Sequence, residues 1–375
     1  MITRSKLFRA FAAVAAALIL AVAPPGARQP ASAAGLSAGD PMLSLDGAIG
    51  WLNSRPLTPV ALRGKIVLVD FWEYTCVNCL KTLPYERAWY ERYARYGFTI
   101  VGIHTPEFRF SGDRANVAAA VRRLGITWPV GLDSDYAIWR RWNNDSWPHE
   151  FLFDESGRLV ADHVGEGDYP DMEARIAGLV HAHHPHAALP KPMAYLPADD
   201  YSKPGAVCYP STAETYVADW RGDGALGNKR GYDLGQVTNY EDAGSDHQDG
   251  RVYLRGSWRD AGQAMVHAVD DPAGRDYIDL RYHAIEVVSV LKPEDGKPVL
   301  AYVDQDGMPL SRSDAGRDVR YDPAGRAYVL VDAPREYDLV KNRHFGHHDL
   351  RLRPAGAGLG VYTFAFESCQ LGADR

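Results

Sequence analysis

Two cysteines, Cys76 and Cys79, have the clearest chemical potential in this sequence, because only two residues separate them. If they lie on a helix, positions i and i+3 share one face, so the two sulfurs are close enough to form a disulfide or to share a metal. Only a thiolate is nucleophilic, and the free N–H groups at a helix N-terminus favour that anion. We therefore predict a lowered pKa for Cys76, which attacks a disulfide, while Cys79 resolves the mixed disulfide.

The elements around the pair are consistent with this chemistry. Ile66–Trp72 is an apolar run rich in β-branched residues, typical of a strand buried on both faces. A short turn follows, and Thr75 is predicted to cap a helix that begins at or near Cys76. Because the pair follows a strand and opens a helix, its spacing favours a redox function.

Other functions of the pair agree less well with the sequence. A structural zinc site needs four ligands, and the remaining cysteines, Cys208 and Cys369, are isolated. Haem attachment needs histidine after the second cysteine, but residue 80 is leucine. A purely structural disulfide remains an alternative, although so short a loop stabilises little in the chain-entropy model. We predict no metal and no cofactor.

The N-terminus and the net charge limit the location and the partners. Residues 1–33 contain basic residues, then an apolar run at 10–23, then small residues, as a secretory signal peptide does. The run is short for a bilayer span, which needs about 20 residues, so an N-terminal membrane anchor is only the alternative. We predict export to the periplasm or cell envelope. The 375 residues carry a formal net charge of -7 without a basic stripe, which argues against nucleic acid as a partner.

The hydrophobic pattern divides the rest of the chain into three parts. In residues 34–183, strands alternate with helices and end in a hairpin, which predicts an α/β sheet with helices on both faces. Residues 184–204 are rich in proline and predict a semi-rigid linker. Residues 205–375 contain many short alternating runs, which predict an all-β sandwich of jelly-roll type.

The α/β part resembles the thioredoxin superfamily. That superfamily has a buried acid six residues before the first cysteine and a helix-bending proline eight residues after it, and this chain has Asp70 and Pro84 at those positions. The resemblance implies that Asp70 moves protons as the thiols exchange. Glu73, beside the dithiol, is predicted to tune the thiols.

The resemblance also implies a substrate groove. The superfamily has a cis-proline before the final hairpin, facing the dithiol, and Trp147 and Pro148 occupy that place. We predict that Trp72, Trp147 and Pro148 line the groove, where backbone groups pair with an extended substrate. His104 and Glu107 follow a strand whose C-terminal end should lie on the active-site side, where they cap a loop, are exposed at the surface or tune the thiols.

Within the superfamily, the chain is similar to TlpA-like proteins and to the soluble C-terminal part of DipZ-type membrane reductases. The similar segments are residues 71–79, 83–85, 101–108 and 165–167. Members of this group reduce disulfides outside the cytoplasm with electrons from a membrane partner of the CcdA/DsbD type. The resemblance therefore implies such a donor for this chain.

The β-rich part resembles the carbohydrate-binding-module-like domain attached to DipZ-type thioredoxin domains, which makes a glycan a candidate ligand. Trp220, Tyr232, Tyr240 and Trp258 are candidate aromatic contacts, although burial in the core is the default expectation. Cys208 and Cys369 lie near the two ends of this part. Terminal strands of such sandwiches often lie side by side, so we predict a Cys208–Cys369 disulfide, with free thiols or a second redox pair as alternatives.

These observations favour an exported thiol–disulfide oxidoreductase that reduces disulfides of envelope proteins. An oxidase or isomerase of the same fold remains an alternative, as does a glycan- or protein-binding module whose dithiol is only structural. A peroxidase is disfavoured. Peroxiredoxins use Pro-x-x-x-Thr-x-x-Cys, whereas here Thr75 directly precedes Cys76 and residue 69 is valine.

Overall fold

A computed structural model describes residues 35–371 except 194, 197–200, 202, 222–223, 243, 245 and 272. The predicted signal peptide at 1–33, and the anchor that is its alternative, lie outside the described residues. Within the described part of the chain, none of the helices has the length and apolar character needed to cross a membrane.

Residues 35–183 form an α/β domain, as the sequence predicts. Its strands and helices are β1 Gly50–Leu52, β2 Ile66–Trp72, α1 Val77–Tyr93, β3 Phe98–His104, α2 Arg114–Arg123, β4 Val130–Leu132, α3 Ala137–Arg141, β5 His149–Phe153, β6 Leu159–Val164 and α4 Tyr169–His183. The strands form one sheet in the order β1-β4-β3-β2-β5-β6. Strands β2, β3 and β4 run parallel, and the other strands pair antiparallel.

The central strand β2 is buried along its whole length because apolar layers cover both faces of the sheet. Side chains alternate between the faces of a strand. Accordingly, Ile66, Leu68 and Trp72 pack into the core shared with α1, α2 and α4, whereas Val67 and its alternate neighbours pack towards α3. The side chain of Asp70 therefore falls on the same face as α1, the helix that carries the cysteines.

Residues 206–371 form a β-rich domain, which confirms the predicted all-β region. Its strands are β7 Ala206–Cys208, β8 Thr215–Tyr216, β9 Val237–Tyr240, β10 Val252–Asp260, β11 Met265–His267, β12 Tyr277–Pro293, β13 Val299–Gln305, β14 Met308–Pro309, β15 Arg320–Tyr321, β16 Ala327–Val331, β17 Arg335–Pro354, β18 Leu359–Glu367 and β19 Cys369–Leu371. Eleven of them form one hydrogen-bonded network, and β7 pairs separately with β19.

Two long strands organise this network. β12 has 17 residues and β17 has 20, and they pair with each other over most of their length through β-bulges near Ala284. β12 also pairs with β10 and with β18. The apolar side chains of these strands share one core with those of β13 and β16.

The proline-rich segment between the domains lies against the α/β domain. The backbone N–H of Met193 donates to the carboxylate of Glu173 in α4 at 2.7 Å. The N–H of Leu196 donates to the hydroxyl of Tyr85 in α1 at 2.9 Å. These bonds attach the segment to α4, which it follows in the chain, and to α1.

An apolar cluster joins the two domains close to the start of α1. Phe108 and Phe110, which follow β3, contact the ring of Tyr362 in β18, with ring centroids 5.1 and 4.8 Å apart. Val266 and Val290 of the β-rich domain complete the cluster. Burial of apolar and aromatic surface stabilises such a contact, so the β-rich domain packs directly beside the dithiol.

Candidate active site

Cys76 and Cys79 are both free thiols at the start of α1. Cys76 is the N-cap of the helix, and its Sγ accepts the N–H of Cys79 at 3.3 Å. Cys76 is half-buried and Cys79 is buried. The more accessible sulfur is thus the one at the helix start, where a disulfide could reach it.

Thr75 is not the cap that the sequence predicts. Its hydroxyl and its N–H both donate to the carboxylate of Glu73, the N–H at 2.6 Å. Because the hydroxyl is engaged there, the helix begins one residue later and Cys76 takes the capping position. Because Glu73 binds Thr75, the side-chain atom that caps the N-terminus of α1 is the sulfur of Cys76 and not the oxygen of Thr75.

The predicted lowering of the Cys76 pKa is wrong for this dithiol. Burial raises the pKa of Cys76 above its ordinary value, although hydrogen bonds with Cys79 act in the opposite direction. Burial also raises the pKa of Cys79 well above its ordinary value. The nearby carboxylates of Glu107 and Glu73 also disfavour the thiolate of Cys76. The carboxylate of Asp70 does the same to the thiolate of Cys79. Desolvation here outweighs the helix terminus.

Three buried carboxyl groups lie in the core next to Cys79. Asp70 in β2 is the cross-strand neighbour of Glu150 in β5, and Glu86 of α1 hydrogen-bonds to Asp70. Burial raises the pKa of Asp70 to about 7 and the pKa values of Glu86 and Glu150 well above their ordinary values. The group therefore retains protons at neutral pH and can exchange one with a thiol.

The sequence predicts Asp70 as a proton-transfer residue but predicts neither of its partners, Glu86 and Glu150. A signal for Glu86 was present, because it lies seven residues after Cys79 and so on the same face of α1. Glu150 could not be found in this way, because its position depends on how β5 pairs with β2.

Glu73 forms a second buried acidic site, under the loop before Cys76. It is 0% exposed, and its Oε1 lies 3.8 Å from Nε2 of His104. Burial raises the pKa of Glu73 to about 7 and lowers the pKa of His104 to about 3. His104 is therefore neutral near pH 7, and Glu73 is the group whose charge changes there.

Trp147 and Pro148 lie across from the helix start. Their peptide bond is cis, and Sγ of Cys76 lies 3.8 Å from the carbonyl oxygen of Trp147. The indole of Trp147 packs against Trp139, with ring centroids 4.4 Å apart. The Trp147 backbone thus faces the first cysteine, and Pro148 is buried.

Trp72 does not line the groove, contrary to the prediction. Its side chain is 1% exposed and contacts the ring of His104 edge-on at 5.1 Å. Strand alternation turns Trp72 into the core on the α1 side, together with Ile66 and Leu68.

A cavity of about 260 Å³ adjoins Cys76, and both domains line it. The β-rich domain contributes Glu214, Tyr216, Arg221, Val288, Val290, Thr363 and Ala365. Sequence reasoning missed all seven, because no local pattern shows which face of a β domain packs on another domain.

Glu107 holds the two walls of this cavity together. Its carboxylate accepts the hydroxyl of Tyr216 at 2.6 Å and forms an ion pair with Arg221. The sequence predicts Glu107 as a loop-capping or thiol-tuning group on the active-site side. The structure places it at the domain interface, in the wall of the cavity that contains Cys76.

In the β-rich domain, Cys208 of β7 and Cys369 of β19 are directly opposite each other and form a disulfide. Among the described residues, Asp249, His283 and His347 of this domain bring potential metal-ligating atoms within 4.8 Å of one another. That group does not include the dithiol.

Comparison with known proteins gives a family match for each domain. Residues 40–177 match the family described as redoxin, and residues 212–366 match the family described as thioredoxin like C-terminal domain. The DipZ proteins of Mycobacterium bovis and Mycobacterium tuberculosis are 31% identical to this chain over 337 residues, which is 86% of this chain and 42% of theirs. The chain therefore spans less than half the length of these relatives.

Other similar proteins match the α/β domain alone. Thiol-disulfide oxidoreductase YkuV of Bacillus subtilis is 26% identical over 136 residues, which is 36% of this chain and 91% of that protein. A solved structure of a thiol:disulfide interchange protein of the thioredoxin family from Chlorobium tepidum is 23% identical, with a TM-score of 0.31. It covers 38% of this chain, and the match takes in 96% of that protein.

Proposed function

We propose that this chain is a thioredoxin-like thiol–disulfide oxidoreductase that reduces disulfide bonds of exported proteins through Cys76 and Cys79. The observation that carries the proposal is the position of Cys76. It is a half-buried thiol at a helix start that faces both the Trp147 carbonyl and an open cavity.

The proposed reaction is a two-step exchange. The Cys76 thiolate attacks one sulfur of a substrate disulfide, which forms a mixed disulfide and releases the other substrate sulfur as a thiolate that takes up a proton. The Cys79 thiolate then attacks Sγ of Cys76, which releases the second substrate thiol and leaves a Cys76–Cys79 disulfide. Two electrons pass to the substrate. Asp70, whose pKa lies near 7, accepts the proton of Cys79, and Glu73 adjusts the charge near Cys76.

The electrostatics support reduction over oxidation. A strongly oxidising dithiol owes its potential to a stabilised thiolate. Here burial and neighbouring carboxylates disfavour both thiolates, so the dithiol should give up its electrons readily. An oxidase or isomerase remains the alternative, and the reduction potential distinguishes them.

The proposed location is the periplasm or cell envelope, with residues 1–33 as signal peptide and a membrane protein of the CcdA/DsbD type as electron donor. The order of basic, apolar and small residues in 1–33 supports the location, and the similarity to the DipZ proteins supports a donor of this type. Thiol trapping in cells that lack such a donor would test it: the Cys76–Cys79 pair should accumulate as the disulfide, and an unchanged reduced fraction would contradict the proposal.

A glycan ligand has less support. Of the candidate aromatic residues, Trp258 is 0% and Tyr240 2% exposed, so neither offers a ring to a sugar. Trp220 lies beside Phe108 at the domain interface. We therefore propose that the β-rich domain acts by lining the cavity beside Cys76 and not by binding a glycan.

Turnover of an insulin disulfide tests the proposed function. We expect the wild-type protein to reduce insulin in the presence of dithiothreitol faster than the reductant alone, and Cys76→Ser to show no acceleration. Cys79→Ser should accumulate a mixed disulfide that mass spectrometry detects. If the wild type is no faster than Cys76→Ser, the dithiol is only structural.

A further inference from the structure

The cavity beside Cys76 carries an acidic lining to which both domains contribute. Three carboxyl groups line the cavity, those of Glu107, Asp145 and Glu214. Among the described lining residues, the one cation is Arg221, and it is paired with Glu107. Burial and the nearby Glu107 carboxylate raise the pKa of Glu214 to about 7, so Glu214 adds its negative charge to that of Asp145 above this pH.

Glu214 is well placed to meet a substrate. Its Oε1 accepts a 3.4 Å hydrogen bond from the hydroxyl of Thr363, another lining residue, and the Glu214 side chain is exposed. Next to these polar groups, Val288, Val290 and Ala365 provide an apolar surface in the same wall. An apolar surface that ends at a carboxylate is complementary to a lysine or arginine side chain, which has an aliphatic stem and a cationic head.

The size of the cavity restricts the substrate further. About 260 Å³ between two packed domains admits a few side chains but not the surface of a folded domain. A disulfide must therefore reach Cys76 on an extended segment, next to the Trp147 backbone.

We propose that this cavity selects disulfides whose cysteine lies beside a lysine or arginine on an extended segment, and that Glu214 of the β-rich domain determines this preference. The inference rests on the proposed reductase function. It gives the β-rich domain a binding role in the same reaction.

Two synthetic peptides test the inference. They have the same length and the same intramolecular disulfide, and they differ only in lysine or glutamate on both sides of the attacked cysteine. At pH 8, where Glu214 is ionised, we expect wild-type kcat/KM to be higher for the lysine peptide by up to about fivefold, the most that one partly exposed charge pair contributes. The difference should lie in KM and should decrease in 0.5 M NaCl.

The variants assign the preference to one side chain. Glu214→Gln should lower the lysine-to-glutamate ratio and leave only the part due to Asp145, whereas Glu241→Gln, at an exposed acid outside this cavity, should retain the wild-type ratio. If the wild type reduces both peptides equally, or if Glu214→Gln keeps the full preference, the inference is wrong and the reductase proposal stands. If the wild type reduces neither peptide nor insulin, both proposals fail.

Discussion

The two cysteine pairs of this chain have the same side chains and opposite states. Cys76 and Cys79 are free thiols within the first turn of α1, next to buried carboxyl groups. Cys208 and Cys369 form a disulfide between β7 and β19, which joins residues 161 positions apart.

The difference shows what each pair can contribute. A bond within one helical turn restricts the unfolded chain little, so it can open and close without consequence for the fold. A bond that closes almost the whole β-rich domain restricts the unfolded chain strongly, so its loss should cost stability. The first pair is suited to turnover and the second to structure.

The largest expected effect is on insulin reduction, which should depend on the Cys76–Cys79 pair and not on the Cys208–Cys369 pair. Replacing both Cys76 and Cys79 by serine should abolish insulin reduction, because neither the attacking nor the resolving sulfur remains. Replacing both Cys208 and Cys369 by serine should leave most of the turnover at 20 °C. Loss of turnover in a folded Cys208/Cys369 variant would contradict the division of roles.

Stability should separate the pairs in the opposite sense. The Cys208→Ser/Cys369→Ser variant should lose about 2–5 kcal/mol of unfolding free energy, as expected for a long closed loop. Urea denaturation followed by tryptophan fluorescence measures it, with the Cys76/Cys79 double variant as the matched control. Equal stabilities of the two double variants would show that the β7–β19 disulfide is dispensable.

Asp70 should make the region of the dithiol sensitive to pH. Its pKa is about 7 in the folded protein and near 3.8 when unfolded, so the folded state binds the proton more tightly. This contribution to stability is present below pH 4 and is lost as the pH rises to 7. Asp70→Asn should therefore raise the unfolding free energy at pH 8 by roughly 2–4 kcal/mol and leave it almost unchanged at pH 4.

The same variant should slow the enzyme, because the resolving thiol loses its proton acceptor. Its single-turnover rate at pH 7 should fall about tenfold or more. A variant that is stabilised at pH 8 but reacts at the wild-type rate would assign Asp70 no part in proton transfer.

Glu73 should have the smallest effect. Its carboxylate raises the pKa of Cys76, so Glu73→Gln should lower that pKa and increase the rate of iodoacetamide alkylation at pH 7 about two- to threefold. The exposed helix residue Glu91 provides the control, and Glu91→Gln should alkylate at the wild-type rate. If Glu73→Gln leaves the pH dependence of Cys76 alkylation unchanged, Glu73 does not tune that thiol.

Much of this site could be predicted from the sequence, because its main features are local. The spacing of Cys76 and Cys79, the buried strand before them and the acid at Asp70 all lie within one short segment. The cis bond before Pro148 followed from family resemblance and is present in the structure.

The features that sequence reasoning missed depend on distant contacts. Glu150 reaches Asp70 only through strand pairing, and Glu214 reaches the cavity only through domain packing. The pKa of Cys76 was predicted in the wrong direction for the same reason. The helix start is visible in the sequence, whereas the burial that outweighs it is a property of the folded chain.

The reduction potential of the Cys76–Cys79 pair tests the central claim most directly. It can be measured by equilibrating the protein with dithiothreitol redox buffers at pH 7 and trapping the thiols with a mass tag. We expect a value near that of thioredoxin, about −270 mV, or lower. A value near −120 mV, as in a strong thiol oxidant, would contradict the proposal that this protein is a reductant.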